Sequence, residues 1–226
     1  MELINVIQRV GFFISKEILK TPADVTDAIN SLSGYAFLPS AETEDDDKEQ
    51  SLRLELRTKD KKQMVVVDGA NVNVIRYKTA DNELLNPIQQ HLDTAIGILE
   101  KLKAQFGFEV INVAMESGYI VEATEEVSKI IYKKLNAEED IPVAWRFNRM
   151  YKRTADVDGG IASMEHATCL RDEIQLEYEQ KSSDRIILEF AWGTMSDDKP
   201  TEETIFGCFR YFIDRINKSL RIYNGN

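Results

Sequence analysis

Residues 51–77 read SLRLELRTKDKKQMVVVDGANVNVIRY, and the strand pattern in this stretch sets the fold prediction. Leucine alternates with charged side chains over residues 51–57, which is typical of a strand with one buried face. Further on, Asp68-Gly69 separates two runs rich in β-branched residues, where a glycine can adopt the positive φ of a tight turn. The stretch therefore predicts three antiparallel strands joined by short turns.

A second β-rich block begins at Val143. Its strand-forming runs are separated by the turn sequences DVDGG and KSSD, so we predict a second antiparallel meander. The runs cover residues 143–153, 161–170, 173–180 and 185–195.

Four segments combine apolar residues at helical spacing with residues that begin a helix. The clearest begins at Asn86-Pro87, where Gln89 is placed to bond back to the cap, and ends at Gly107. Residues 3–14 are apolar with a mixed period, which leaves strand and helix open. The other helices are predicted to begin at Thr21-Pro22, at Thr124 and at Thr201, the last being a long amphipathic C-terminal helix.

Strand runs broken by separate helices predict an α+β fold, with antiparallel sheet in two meanders and about four helices packed on one face. We expect a single domain over residues 1–226, with a division into 1–137 and 138–226 as the alternative. The stretch AETEDDDKEQ at 41–50 is strongly acidic and is expected to be a flexible loop. No internal repeat is visible in the sequence.

Charge limits the kinds of partner. The 226 residues contain 28 Lys and Arg against 39 Asp and Glu, giving a net charge of −11. Such a chain is not built to coat nucleic acid or an anionic membrane, because that binding requires a basic face. The N-terminal sequence MELINVIQRVGFFIS has neither a basic start nor an uninterrupted apolar run, so we expect a cytoplasmic protein without a signal peptide or membrane span.

Residues 64–72, MVVVDGANV, place Asp68 after an apolar run and Asn71 three positions later. This string resembles the first motif of the NYN/PIN-like ribonucleases, in which a strand delivers an Asp to a metal site. The resemblance implies that Asp68 and Asn71 lie at a Mg²⁺ or Mn²⁺ site whose bound water attacks a phosphodiester. Such folds require a helix after the motif, whereas residues 71–77 alternate like a strand, so a hairpin turn is the preferred interpretation.

Residues 145–153, WRFNRMYKR, form a basic and aromatic run in an acidic chain. On a strand its odd and even positions point to opposite faces, and a face with aromatics and arginine can stack unpaired bases or hold an anionic ligand. The alternative is that the aromatics belong to the core and the basic stems flank it. The candidate ligand-binding residues are Trp145, Arg146, Phe147, Arg149, Tyr151 and Lys152.

The sequence lacks the common hydrolase, NTPase, dinucleotide and zinc-protease signatures, and its two histidines cannot build a multi-histidine metal site. We therefore expect a non-enzymatic binding protein without a cofactor or metal, acting through a protein partner or as a homodimer, with sheet edges as one contact surface. Phe206 and Tyr211 lie beside the apolar stripe of the last helix and are the interface candidates. The alternatives are the ribonuclease centred on Asp68 and a binder of single-stranded nucleic acid or an anionic ligand at 145–153.

Overall fold

The computed structural model of the chain describes residues 2–39, 52–80, 85, 87–136, 141–155, 157, 160–176, 178–195 and 201–224. The predicted acidic loop at 41–50 lies outside these residues. In chain order the first elements are β1 (Ile4–Ile14), α1 (Pro22–Ser31), a 3₁₀ turn (Ser33–Tyr35), β2 (Phe37–Pro39), β3 (Arg53–Thr58), β4 (Gln63–Asp68), β5 (Asn71–Tyr77) and α2 (Ile88–Phe106). They are followed by β6 (Val110–Glu122), α3 (Glu125–Leu135), β7 (Trp145–Ala155), β8 (Ile161–Ile174), β9 (Ser183–Thr194) and α4 (Glu202–Asn224).

All strands described here belong to one antiparallel sheet in the order β2-β3-β4-β5-β1-β6-β9-β8-β7. The predicted α+β class and the helices on one face are confirmed. The prediction of two separate meanders is corrected, because β1 and β6 pair with each other and join both meanders into a continuous sheet. Residues 3–14, whose period left two interpretations, form the central strand β1.

The two halves of the chain repeat one connectivity that the sequence does not reveal. Each half runs strand, helix, three strands, helix, and the first half inserts the short strand β2 after its first helix. Outward from the seam between β1 and β6, the order is β1-β5-β4-β3 on one side and β6-β9-β8-β7 on the other. The repeat divides the chain between α2 and β6, whereas the alternative division predicted from the sequence falls after residue 137.

The core lies between the sheet and the helices. Alternate residues of β1 show the division, since Val10 and Phe12 are buried under the helices and Arg9 is exposed on the opposite face, called here the open face. The C-terminal helix α4 buries most of the stripe predicted for it, while Ile213 and Leu220 of that stripe are half-buried. Full burial of a side chain such as Phe209 contributes about 1.5–3 kcal/mol. The buried residues of the stripe are Ile205, Cys208, Phe209, Phe212 and Ile216.

Most predicted helix ends are confirmed. Thr21 and Asp24 form a reciprocal capping box on α1, the Val127 amide donates to Thr124 Oγ1 at the start of α3, and Gly107 ends α2 at φ 61°. One detail differs. Pro87 is the N-cap of α2 and not its first helical residue, and the Gln89 side chain donates to Asp93 Oδ1 (3.0 Å), one turn along the helix. The predicted cap residue Asn86 lies outside the described residues.

The predicted strand at 173–180 is also corrected. Strand β8 ends at Ile174, and the chain then turns, with the Glu179 amide donating to the Leu176 carbonyl (2.9 Å). An ion pair between Glu179 and Arg185 ties this turn to β9. The turn is therefore held by a backbone hydrogen bond and an ion pair. Within the described residues, no helix combines the length and apolar character needed to cross a bilayer.

Candidate functional site at the outer edge of the sheet

Asp68, the centre of the ribonuclease resemblance, lies at the end of β4 in the β4–β5 hairpin. It faces Asn71 across the ladder, and Gly69 between them has φ 54°, so the turn depends on a glycine. The chain continues as strand β5 and not as the helix that the motif requires. Among the described residues, no group of three or more His, Cys, Asp or Glu side chains is placed to hold a metal ion. Asp68 and Asn71 are therefore described as hairpin residues.

The basic and aromatic run forms β7, the last strand of the sheet. It pairs with β8 over its whole length, from Trp145 opposite Arg171 to Ala155 opposite Ile161, without a register shift. Within the part of the chain that the structure describes, no strand lies on the other side of β7. In an antiparallel strand, about every second residue points its backbone N–H and C=O away from a given neighbour. The strand thus leaves a row of backbone donors and acceptors facing outward.

On the helix face of β7, the aromatic residues near its start belong to the core. Trp145 is only 9% exposed, and its ring lies 5.8 Å from that of Tyr132 on α3. Phe147 packs against the same tyrosine at 5.7 Å. These two rings therefore pack in the core, as the alternative interpretation of the run predicted, and do not offer a platform for stacking bases.

Four of the six predicted ligand-binding residues are exposed: Arg146, Arg149, Tyr151 and Lys152. Tyr151 is 41% exposed on the helix face, where the Arg153 guanidinium lies over its ring at 5.0 Å. Met150, which lies on the open face and was not among the predicted ligand-binding residues, is 65% exposed. The middle of β7 thus combines cationic and apolar side chains at the surface.

Arg146 has acidic surroundings on the open face. Burial raises the pKa of the Glu189 carboxyl, and the neighbouring Glu116 adds to the effect, while Arg146 and His166 oppose it. Arg146 Nε also lies 3.4 Å from Asn148 Oδ1. The positive charge of Arg146 is therefore partly offset within the sheet.

A buried carboxylate that sequence reasoning missed fixes β7 in place. Glu165 on β8 is 5% exposed and accepts from Arg153 Nε on β7 (2.7 Å) and from Arg215 Nη2 on α4 (2.7 Å). Arg153 is thus already paired within the protein. The only signal in the sequence was an acid at a position that strand alternation places on the core face.

The interface candidates Phe206 and Tyr211 are half-buried on α4. Phe206 packs edge-on to Phe12, with ring centroids 6.4 Å apart. Together with residues of α2 they line a groove of about 850 Å³ that carries charges of both signs, from Glu203, Asp214, Arg210 and Lys218 among others. The mixed charge does not indicate one class of ligand.

No protein-family model matches the sequence, and no curated protein matches it either. The function has to be inferred from the geometry of the chain itself.

Proposed function

We propose that this protein is a non-enzymatic binding protein that takes up an extended segment of a partner protein as an additional strand along β7. The supporting observation is that no strand among the described residues pairs with the outer edge of this eleven-residue strand. In strand addition, backbone hydrogen bonds supply affinity and alternate side chains supply specificity. A strand docked on β7 would replace the water on its outward N–H and C=O groups.

The contrast with the other edge supports this use of β7. Long bare edges invite aggregation, and proteins protect them with short strands, prolines or bulges. The first half of the chain has such protection, since the three-residue strand β2, ending in Pro39, pairs with residues 56–58 of β3. In the second half β7 is long, contains no proline and has no bulge. Within the described residues its outer edge is protected only by charged side chains, which disfavour most added strands but favour acidic ones.

A second copy of this chain is a poor occupant of the edge. Residues 145–155 contain four basic residues and no acid. Symmetric pairing of β7 with its copy would bring two such cationic strands side by side, and like charges across a strand pair are destabilising. An acidic segment of another protein is electrostatically complementary.

A protein segment is also a better occupant than single-stranded nucleic acid. Base stacking requires accessible aromatic faces, and Trp145 and Phe147 pack against Tyr132. The backbone groups along β7, by contrast, match those of another extended polypeptide. The cations predicted to bind an anion keep that role, with carboxylates as the anions.

Hydrogen–deuterium exchange tests this proposal on the unaltered protein. The probes are capped, strand-prone peptides of seven residues in three versions with glutamate, glutamine or lysine at the charged positions. We expect at least one version to slow exchange of the amides in 145–155 and to leave those of β3 unchanged. A matched peptide with alternate backbone amides N-methylated cannot complete the ladder and should give no protection. Protection outside β7, or none from any version, would overturn the proposal.

A further inference from the structure

The exposed side chains of β7 specify a sequence pattern in the segment that docks on it. Resting on the proposed strand addition, we infer that this segment reads, from N to C terminus, acid, apolar, apolar, acid, any, any, acid. The complement on β7 consists of the cations Arg146, Arg149 and Lys152 and the apolar pair Met150 and Tyr151.

The three cations occur at three-residue intervals. Arg149 lies on the helix face of the sheet, while Arg146 and Lys152 lie on the open face. In an added strand, the residue directly opposite each cation points to the same face, with Cβ atoms about 4.5–5.5 Å apart. A carboxylate at each of these three positions therefore meets its own cation. Arg153 requires no acid in the segment, since Glu165 already pairs with it.

Between two of the cations, β7 exposes apolar surface. Met150 and Tyr151 stand on opposite faces and are 65% and 41% exposed. Apolar residues at the two facing positions of the segment cover both side chains, and such cross-strand pairs stabilise a sheet. The acids and the apolar residues thus fall in one order, which is not the same when read backwards.

The order of acids and apolar residues along the segment depends on its direction relative to β7. Neighbouring strands in the sheet pair antiparallel. An antiparallel segment meets Lys152 first and Arg146 last, which puts the two apolar residues near its N terminus. A parallel segment would need the reverse sequence. We assign the antiparallel direction, which is also the slightly more stable pairing.

The three cations are expected to contribute unequally to the affinity for the segment. Lys152 and Arg149 flank the apolar pair and are exposed. Arg146 Nε lies 3.4 Å from Asn148 Oδ1, and its charge also interacts with the Glu189 carboxyl within the sheet. Exposed ion pairs are individually weak, so each acid is expected to change the dissociation constant only about two- to five-fold. The acid facing Arg146 should have the smallest effect.

Fluorescence polarisation with labelled, capped peptides tests the pattern. The forward probe is Glu-Leu-Val-Glu-Thr-Thr-Glu, and the reversed probe Glu-Thr-Thr-Glu-Val-Leu-Glu has the same composition and charge. A third probe carries glutamine in place of each glutamate. At low salt we expect the forward probe to bind at least five-fold more tightly than the reversed probe and at least ten-fold more tightly than the glutamine probe.

Charge reversal on the protein supplies the complementary test. The double variant Arg149→Glu/Lys152→Glu should lose at least ten-fold in affinity for the forward probe and gain affinity for its lysine counterpart. Both residues are exposed, so the circular dichroism spectrum should be unchanged. The matched control Lys129→Glu/Lys133→Glu makes the same change in net charge on the exposed side of α3, and its affinity should stay within two-fold of wild type.

The outcomes separate this inference from the proposal on which it rests. If forward, reversed and glutamine probes bind equally and all protect the amides of 145–155, strand addition stands and the acidic pattern is wrong. If the reversed probe binds more tightly, the assigned direction is wrong. If none of the probes binds or protects β7, both strand addition and the pattern are overturned.

Discussion

The two outer edges of the sheet are built from equivalent strands but end differently. In the first half, β3 is the last strand of the repeated connectivity, and the short β2 covers its C-terminal half. In the second half, β7 occupies the same place, and no strand in the described part of the chain covers it. The burial pattern follows this difference, since β3 places Leu54, Glu55 and Leu56 among the buried residues while β7 is exposed from Asn148 to Thr154. One connectivity thus supports a closed edge and an open one.

Truncating one side chain on each edge gives the largest expected difference. Leu56 on β3 is fully buried, and Leu56→Ala should cost about 2–5 kcal/mol because it leaves a cavity. Met150→Ala on β7 should stay within about 0.5 kcal/mol, since the side chain is mostly exposed. Urea unfolding of both variants measures the difference. Equal losses would show that the edge at β7 is not open in solution.

Low pH should reduce the stability of the fold through His91, which lies on α2 in the first half of the chain. Burial, with Arg76 nearby, lowers the pKa of His91 from 6.5 to about 4, and Nε2 lies 3.1 Å from the Val74 carbonyl oxygen. Below pH 6.5 the imidazole of His91 binds a proton in the unfolded chain but not in the folded one. The free energy of unfolding therefore falls between pH 6.5 and 4. The loss from this residue amounts to about 3 kcal/mol.

Urea unfolding between pH 7 and pH 4 checks this dependence. Since carboxylates also titrate in this range, the informative quantity is the difference between wild type and His91→Gln, with His166→Gln as the matched control. The His91 variant should show a shallower fall in stability than either of the others. Identical slopes for all three proteins would contradict the assignment.

Removing the charge of Glu165, which pairs with Arg153 on β7, should destabilise the open edge. Glu165→Gln keeps the shape of the side chain but removes the charge that holds Arg153 and Arg215, and it should cost about 1.5–3 kcal/mol. Exchange of the amides in β7 should accelerate. The control Asp184→Asn breaks the more exposed pair with Arg171 and should cost about 0–1 kcal/mol. A Glu165 variant as stable as the control would show that the edge is held by its ladder alone.

Weakening the cover of the closed edge should have the smallest effect. Phe37 on β2 stacks on Tyr35 with ring centroids 6.0 Å apart, and Phe37→Ala should cost about 0.5–1.5 kcal/mol. The expected signature is faster amide exchange in β3 without a change in β7. Unchanged exchange in β3 would mean that β2 does not protect that edge.

The local elements were predictable because their signals are local. Alternation identified β3, and threonine caps identified the starts of α1 and α3. The nature of β1 was not predictable from its period, because its open face carries Gly11 and Phe13 as well as Arg9 and so lacks clean alternation. The order of strands in the sheet depends on contacts distant in sequence, so the single sheet and its repeat could not be read from the pattern.

The distinction between local signals and contacts distant in sequence also applies to the candidate site. Alternation assigned the faces of residues 145–153 correctly. That Trp145 and Phe147 belong to the core depends on Tyr132 of α3, and the edge position of β7 depends on the entire sheet. The anchoring role of Glu165 likewise arises from Arg215, fifty positions away. A basic aromatic strand was therefore predictable, whereas its open edge was not.

The central position of β1 has a consequence for the order of events during translation. The strand is synthesised before both of its neighbours, since β5 follows only at residues 71–77 and β6 only at 110–122. A nascent chain that has completed its first half therefore carries a temporary edge at β1, which is as open to wrong pairing as any other unprotected strand. Since β6 follows α2 almost directly, the ribosome supplies the correct partner as soon as the first half is complete.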